Sequence, residues 1–198
     1  MDPENAHIAA LAVFGLKAAV YSYLKEKVAS GAGGGRFSYT LVANGPFLDQ
    51  NIRYKFLGLD LAGRKAELFD GGENLVPTTT VADVGKATAN VMLHPDETKN
   101  RVVYVASAKL TQRKLFELAK EALGGEWTVE EVDIQKRFDE GMEQMRAGKF
   151  DMGVIMAQIQ YATARKEYLS PWEKDDNGLL GVAEMGDGEI REMIKGLV

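Results

Sequence analysis

Hydrophobic and polar positions alternate with two different periods along this chain, and the switches between them outline its elements. From Ile8 to Leu24 the sequence is almost wholly apolar, with Lys17 its single charge. Val13, Lys17, Val20 and Leu24 recur at helical spacing, so a first helix is predicted from Asn5 or His7 to Val28. Ser30 to Arg36 (SGAGGGR) breaks that pattern. Phe37 to Asn44 then reads as a strand, rich in aromatic and β-branched residues, and Gly45-Pro46 ends it. Phe47 to Leu61 is mixed and partly helical.

Lys65 to Phe69 reads as a short strand that turns at Asp70-Gly71-Gly72 and returns, extended, through Val76 to Thr79. Thr80 is placed to cap a helix, with Asp83 three residues on and His94-Pro95 as its stop. Arg101 to Ala106 is a buried-strand pattern. Thr111 caps a helix over Gln112 to Leu123, closed by Gly124-Gly125. Trp127 to Val132 alternates like a strand. Helices over Gln135–Ala147 and Phe150–Tyr168 follow, then a polar loop from Trp172 to Asn177 and a last helix capped by Asp187. Strands alternating with helices predict an α/β fold with part of a parallel sheet.

Composition changes the picture mainly by exclusion. The 198 residues are 45% hydrophobic and 27% charged, with a formal net charge of −5, as in an ordinary globular protein. Scattered basic residues point away from nucleic acid. No apolar run is long enough to suggest a membrane span, and Met1 to His7 lacks the pattern of a secretory signal. There is no cysteine, and the two histidines lie far apart. Disulfide, thiolate and histidine-rich metal chemistry are therefore not expected, and a cytoplasmic location is.

Lys17 is the first candidate for chemistry. A lysine on an apolar helix face either snorkels outward or is held over a site, where it can serve in proton transfer. Tyr21 follows one helical turn later and is read as packing or substrate-lining, because reductases that pair the two types place tyrosine first. Asn44, Gly45, Pro46 and Phe47 lie past the C-terminal end of a predicted strand. Ligands bind at that edge of open α/β sheets, although a plain strand-to-helix turn fits the residues equally well. The glycines of Gly31 to Gly35 follow a helix and lead to a strand, the reverse of a dinucleotide loop, and read as a connector. The Asp175, Asp176, Asn177 run reads as a solvated loop. Met142, Met145, Met152 and Met156, with Phe150 and Ile155, read as core or pocket lining, and Trp127 and Trp172 as structural.

Four motifs in order carry a family resemblance: F-x-x-K (Phe14 to Lys17), Y-T-L-V-x-N-G-P-F (Tyr39 to Phe47), T-T-V-A-D-V-G-K (Thr79 to Lys86) and H-P-x-E-T-x-N-R (His94 to Arg101). Together they resemble the isoflavone-reductase-like branch of the NmrA-like family, atypical short-chain dehydrogenase/reductases. The resemblance is strongest from Asp2 to about Val132 and continues loosely to the D-N-G-L-L-G segment, Asp176 to Gly181. It implies a partial Rossmann-like parallel sheet with a smaller, mainly helical substrate domain. The Rossmann part would comprise about residues 1–50 and 78–106, and the substrate part about 51–77 and 107–198.

The resemblance further implies NADPH as cofactor, Lys17 as the catalytic proton donor or relay, and Asn44 to Phe47 beside the nicotinamide and the substrate. The substrate would be a small aromatic or related compound, with Tyr21 and Phe47 against it. Met1 to Asn5 matches the middle of a family member, so the first half of the Rossmann domain, with its G-x-x-G-x-x-G loop, is expected to be missing. A chain without that loop is expected to bind NADPH weakly and to expose a sheet edge that a protein partner or a second copy could cover. The alternative function is a non-catalytic, NmrA-like regulatory or protein-binding module.

Overall fold

The computed structural model describes residues 2–198. The predicted first helix is two: α1 (Ala6–Ala10) and α2 (Ala12–Ala29), divided at Leu11, whose backbone is extended (φ −72°, ψ 131°). Asn5 caps α1 by accepting hydrogen bonds from the His7 and Ile8 N–H groups. The break frees the Val13 N–H, and the buried Gln158 side chain accepts it at 3.1 Å. Leu11 turns inward there and packs with Ile8 and Ala162.

The next strand, β1 (Thr40–Ala43), is shorter than predicted and leads into α3 (Leu48–Arg53). β2 (Leu59–Asp60) and β3 (Lys65–Phe69) follow, then β4 (Leu75–Thr78) and α4 (Val81–Leu93). The Thr80 cap stands as predicted, its hydroxyl oxygen accepting the Asp83 N–H at 3.2 Å. Pro95 both ends that helix and starts α5 (Pro95–Thr98), since proline suits a first helical turn. β5 (Arg101–Tyr104), β6 (Ala108–Thr111), α6 (Gln112–Leu123) and β7 (Thr128–Val132) complete the strands. The rest is helical: α7 (Ile134–Arg146), α8 (Met152–Ala164), α9 (Asn177–Leu180) and α10 (Asp187–Lys195).

Three small sheets result. β1 and β5 pair in parallel, Thr40 opposite Arg101. β3 lies between antiparallel β2 and parallel β7, and β4 pairs antiparallel with β6. The architecture is mixed α/β with parallel pairs, a partial Rossmann-like arrangement. β3 and β4 do not form the predicted strand and return. Asp70, Gly71 and Gly72 all have positive φ (46°, 85° and 71°), and this left-handed stretch sends β4 away to β6. The largest core gathers Leu48, Leu59, Leu110, Leu115, Leu118 and Ile194 between α3, β6, α6 and α10. A second, with Ala87, Val103, Val105 and Leu180, seats α4 and α9 against β5.

Three further expectations are corrected. The cap of α10 is Gly186, while the Asp187 carboxylate lies 2.7 Å from Lys114 Nζ. Phe150 and Met152 are 58% and 60% exposed, because the chain turns outward between α7 and α8. The Asp175–Asn177 run is not a solvated loop. Asp176 accepts from Arg101 with both oxygens (2.8 and 3.2 Å) and from the Tyr104 N–H (2.8 Å). The Asn177 side chain exchanges both hydrogen bonds with the Ala106 backbone (3.0 and 2.8 Å). These residues serve as a surrogate strand along the outer edge of β5. Among the described residues no helix is long and apolar enough to cross a membrane.

Asp176→Ala is expected to lower stability by about 1–3 kcal/mol, since it leaves a backbone N–H and a guanidinium without their acceptor. Urea unfolding should show a lower midpoint with an unchanged slope.

Candidate active site

The candidate residues meet at a groove where α2 crosses β1. Pro3, Leu16, Lys17, Val20, Leu41, Val42 and Asn44 line about 330 Å³ of open space. Its position follows from the sequence: the helix supplies a turn spaced i, i+1, i+4, and the strand supplies residues leading to its C-terminal end. Lys17 is exposed at the groove wall, its Nζ 6.0 Å from the centre of the Phe14 ring. Leu16 is 85% exposed and Val20 more than half, so this face of α2 is not packed as core. Lys17 has no ion-pair partner among the described residues, which leaves its three donors available to a molecule in the groove.

The floor of the groove is fixed by the junction after β1. Gly45 has φ +61°, and a Cβ there would lie 2.0 Å from the Pro77 carbonyl oxygen. Only glycine permits this approach. The Thr79 N–H donates to the Pro46 carbonyl (3.1 Å), and the Leu48 N–H donates to the Thr79 carbonyl (2.9 Å). The Thr79 hydroxyl lies 2.6 Å from the Asn44 carbonyl and 2.9 Å from that of Val105. Behind it, Asp83 accepts from the hydroxyls of Ser107 (2.6 Å) and Thr80 (3.0 Å). The strand end that presents Asn44 is therefore held by backbone from three segments.

The residues singled out in the sequence are brought together only in part. Lys17 and Asn44 share the groove. Gly45 and Pro46 shape the junction beneath it, and Phe47 stands beyond, 41% exposed and bridged to Thr79. Tyr21 is buried beside the groove, in edge contact with Tyr39, and its hydroxyl donates to Glu4 Oε1 at 2.9 Å. The other Glu4 oxygen accepts from Tyr104 at 3.1 Å, and Tyr104 also lies 3.3 Å from Asp2 Oδ1. Pro3, between these two acids, becomes a wall of the groove. Sequence reasoning missed that contribution because its partners lie up to 102 positions away.

Burial raises the phenol pKa of Tyr21 first, with the Glu4 carboxylate adding to it. Burial also leads at Tyr104, followed by the charges of Asp2 and Glu4. Both phenols stay protonated donors well past the ordinary range.

A dinucleotide is matched at one end only. Asn44 to Phe47 lie at the C-terminal edge of a parallel strand pair, the position that suits a planar ring. The sequence holds no G-x-x-G-x-x-G loop. Gly33, Gly34 and Gly35 are all left-handed (φ 64°, 67° and 78°) in a short turn after α2, and no helix begins there. Those residues do not fit a pyrophosphate.

With this geometry in place, comparison with known proteins defines the class. The fold is that of the isoflavone-reductase-like oxidoreductases. The crystal structure of isoflavone reductase superposes with a TM-score of 0.67 at 18% identity, covering 94% of this chain and 58% of that one. The NADP(H) complex of Citrobacter sp. triphenylmethane reductase gives a TM-score of 0.59 at 17% identity, over 86% of this chain and 56% of that one. The Escherichia coli NADPH-dependent quinone oxidoreductase in complex with NADPH also gives 0.59, at 16% identity over 87% and 56%.

In sequence, the chain is similar to oxidoreductase poxI of Penicillium oxalicum, 30% identical over 158 residues, which are 78% of this chain and 50% of that protein. It is similar also to oxidoreductase aprR of Aspergillus flavus, 29% identical over 152 residues, 77% and 48% of the two chains. The chain spans about half the length of these curated relatives. No family model matches it. The likeness to isoflavone reductase carried by the four motifs is thus present in the fold, and in sequence the chain is similar to proteins named as oxidoreductases.

Because the folded-state values of Tyr21 and Tyr104 are raised, their protonated phenols stabilise the fold at every pH below the ordinary tyrosine value of about 10. That contribution is lost as pH rises through the folded-state values. Phenolate absorbance on alkaline titration should show at least two of the seven tyrosines ionising only together with unfolding. Tyr21→Phe with Tyr104→Phe should remove that late component.

Proposed function

We propose that the groove beside Lys17 and Asn44 is the acceptor side of a reductase site, taking a small aromatic or related carbonyl compound. The observation that carries this reading is the shared groove itself. An unpaired lysine ammonium stands over an apolar wall of Leu41 and Val42, at the C-terminal end of a parallel strand. The names of both curated relatives and of several fold neighbours, oxidoreductases or NADP(H)-linked reductases, support the same class, while one neighbour of the same fold is named a nucleoside-diphosphate-sugar epimerase.

In this reading Leu16, Val20, Leu41 and Val42 hold a ring by burying its faces, and Asn44 offers a side chain at the polar end. Lys17 donates a hydrogen bond to the acceptor oxygen and so polarises the carbonyl for a hydride donor, which the described residues do not themselves supply. Phe47 and Tyr21 act from outside the first contacts, one as an exposed ring past the strand end and one as the anchor of Glu4. NADP(H) is the cofactor that the family suggests, but the described residues do not fit its pyrophosphate. No step is assigned to it on this chain.

A second reading, a non-catalytic binding module, draws support from the same wall. Leu16, Val20 and Tyr23 leave an apolar stripe on α2 exposed, and β1 carries no strand on its outer edge among the described residues.

Two measurements separate the readings. Acetophenone, a compact aryl ketone, should shift the amide resonances of Leu41, Val42 and Asn44 saturably. Lys17→Met should weaken that binding about three- to tenfold, as loss of one charge-assisted hydrogen bond does. Shifts scattered elsewhere, or an unchanged affinity in the variant, would sink the reductase reading in favour of the module. Titration of NADPH fluorescence with the purified chain should give no saturable binding at micromolar concentration. Tight binding there would show that some other segment anchors the phosphates.

A further inference from the structure

A second and larger cavity, about 580 Å³, opens between the β2–β3–β7 sheet and the α7–α8 pair. We propose that it binds a small organic cation, a primary amine on a compact apolar body. This proposal is independent of the reductase reading of the Lys17 groove.

The shape is built rather than left over. Arg137, Glu140, Gly141 and Gln144 on α7, and Gly153, Met156, Ala157 and Gln160 on α8, each follow the i, i+3, i+4, i+7 pattern of one helix face. A helix face turned towards a sheet normally carries the large apolar residues of a core. Here Met156 is the one large apolar residue among the eight, Glu140, Gln144 and Gly153 are exposed, and the space stays open. The helices cannot slide together to fill it: a Cβ on Gly141 would already lie 2.9 Å from that of Ala157. The volume lies within the range of small-molecule sites, about 300–1,000 Å³.

Charge selects the ligand. Two of the lining cations are already neutralised. Lys55 pairs with Asp60 at 2.7 Å, and Arg137 pairs with Glu67 at 2.6 Å while donating to the buried Gln160 at 3.1 Å. That leaves Lys65, Glu130 and Glu140, exposed residues of the lining, none of which has an ion-pair partner among the described residues. The residual charge is one negative. Glu67 and Glu130 are, moreover, register partners on adjacent parallel strands, and like charges so placed repel. Arg137 already pairs with Glu67, so Glu130 is the member of this pair that an added cation would answer. Among the described residues no three acids or histidines converge closely enough to hold a metal ion, so the site suits an organic ammonium. Ala66, Met156 and Ala157 supply the wall for its apolar part.

Calorimetric titration with three isosteric probes tests this: benzylamine, benzyl alcohol and benzoate. Benzylamine should bind about tenfold more tightly than either of the others. Glu130→Gln combined with Glu140→Gln should weaken it about fivefold, and Lys65→Gln should strengthen it about twofold, a gain that a damaged fold would not give. Lys17→Met should leave benzylamine binding unchanged, which separates this cavity from the Lys17 groove. Equal affinity for benzyl alcohol, preference for benzoate, or indifference to the glutamate substitutions would overturn the proposal.

Discussion

Thr79 is the point on which the rest of the structure depends. It is fully buried, and it ties together segments that pair in different sheets. Its hydroxyl sits between the carbonyls that follow β1 and β5, and its backbone exchanges hydrogen bonds with Pro46 and Leu48. The residue follows β4, so the antiparallel β4–β6 pair is fastened end-on to the parallel β1–β5 pair. Buried carbonyls need donors, and the Thr79 hydroxyl and N–H meet that need at a crowded crossing, while its own carbonyl accepts from Leu48. Valine would fill the space of Thr79 and remove the one hydroxyl proton that the Asn44 and Val105 carbonyls share. The Gly45 contact with Pro77 is the steric counterpart: the crossing is so close that no side chain can stand there. Asn44, and with it the polar end of the groove, is positioned by this junction.

Much of the chain was legible where the deciding interactions are local. The caps at Thr80 and Thr111 act within three residues, and the strand Lys65–Phe69 lies where its pattern places it. What was not legible depends on distant partners. The break at Leu11 is stabilised by Gln158, 145 positions away, so the apolar run from Ile8 reads as one continuous helix. β3 pairs with β7 across some sixty residues, and a parallel pairing leaves no turn signal in the sequence. Asp176 and Asn177 show a different difficulty. A run of polar residues suggests solvent, yet these side chains take the place of a neighbouring strand for β5, a role that requires polar atoms.

The candidate site divides in the same way. The spacing of Lys17 and the strand end at Asn44 could be read locally, and the two do meet in one groove. Tyr21, one turn after Lys17 on the same helical face, could be read only as packing or substrate-lining. Its function in the fold follows from Glu4, which lies on the opposite side of α1 in sequence and accepts from Tyr104 as well. A carboxylate shared by two phenols, the buried Tyr21 and the partly buried Tyr104, is an anchor, because each partner is a neutral donor and the charge remains on Glu4. That anchor sets Pro3 against Leu16 and closes one end of the groove.

The two cavities also contrast in how they treat charge. In the Lys17 groove a lone cation stands over apolar walls, and nothing nearby neutralises it. In the α7–α8 cavity five of the seven lining charges stand within reach of an opposite charge or a like-charged neighbour in register. An uncompensated cation polarises a neutral acceptor strongly because few other charges oppose its field. A mixed-sign wall gives a much weaker net field and discriminates instead by where each charge sits. The first arrangement suits polarisation of a bound molecule, and the second suits recognition without reaction.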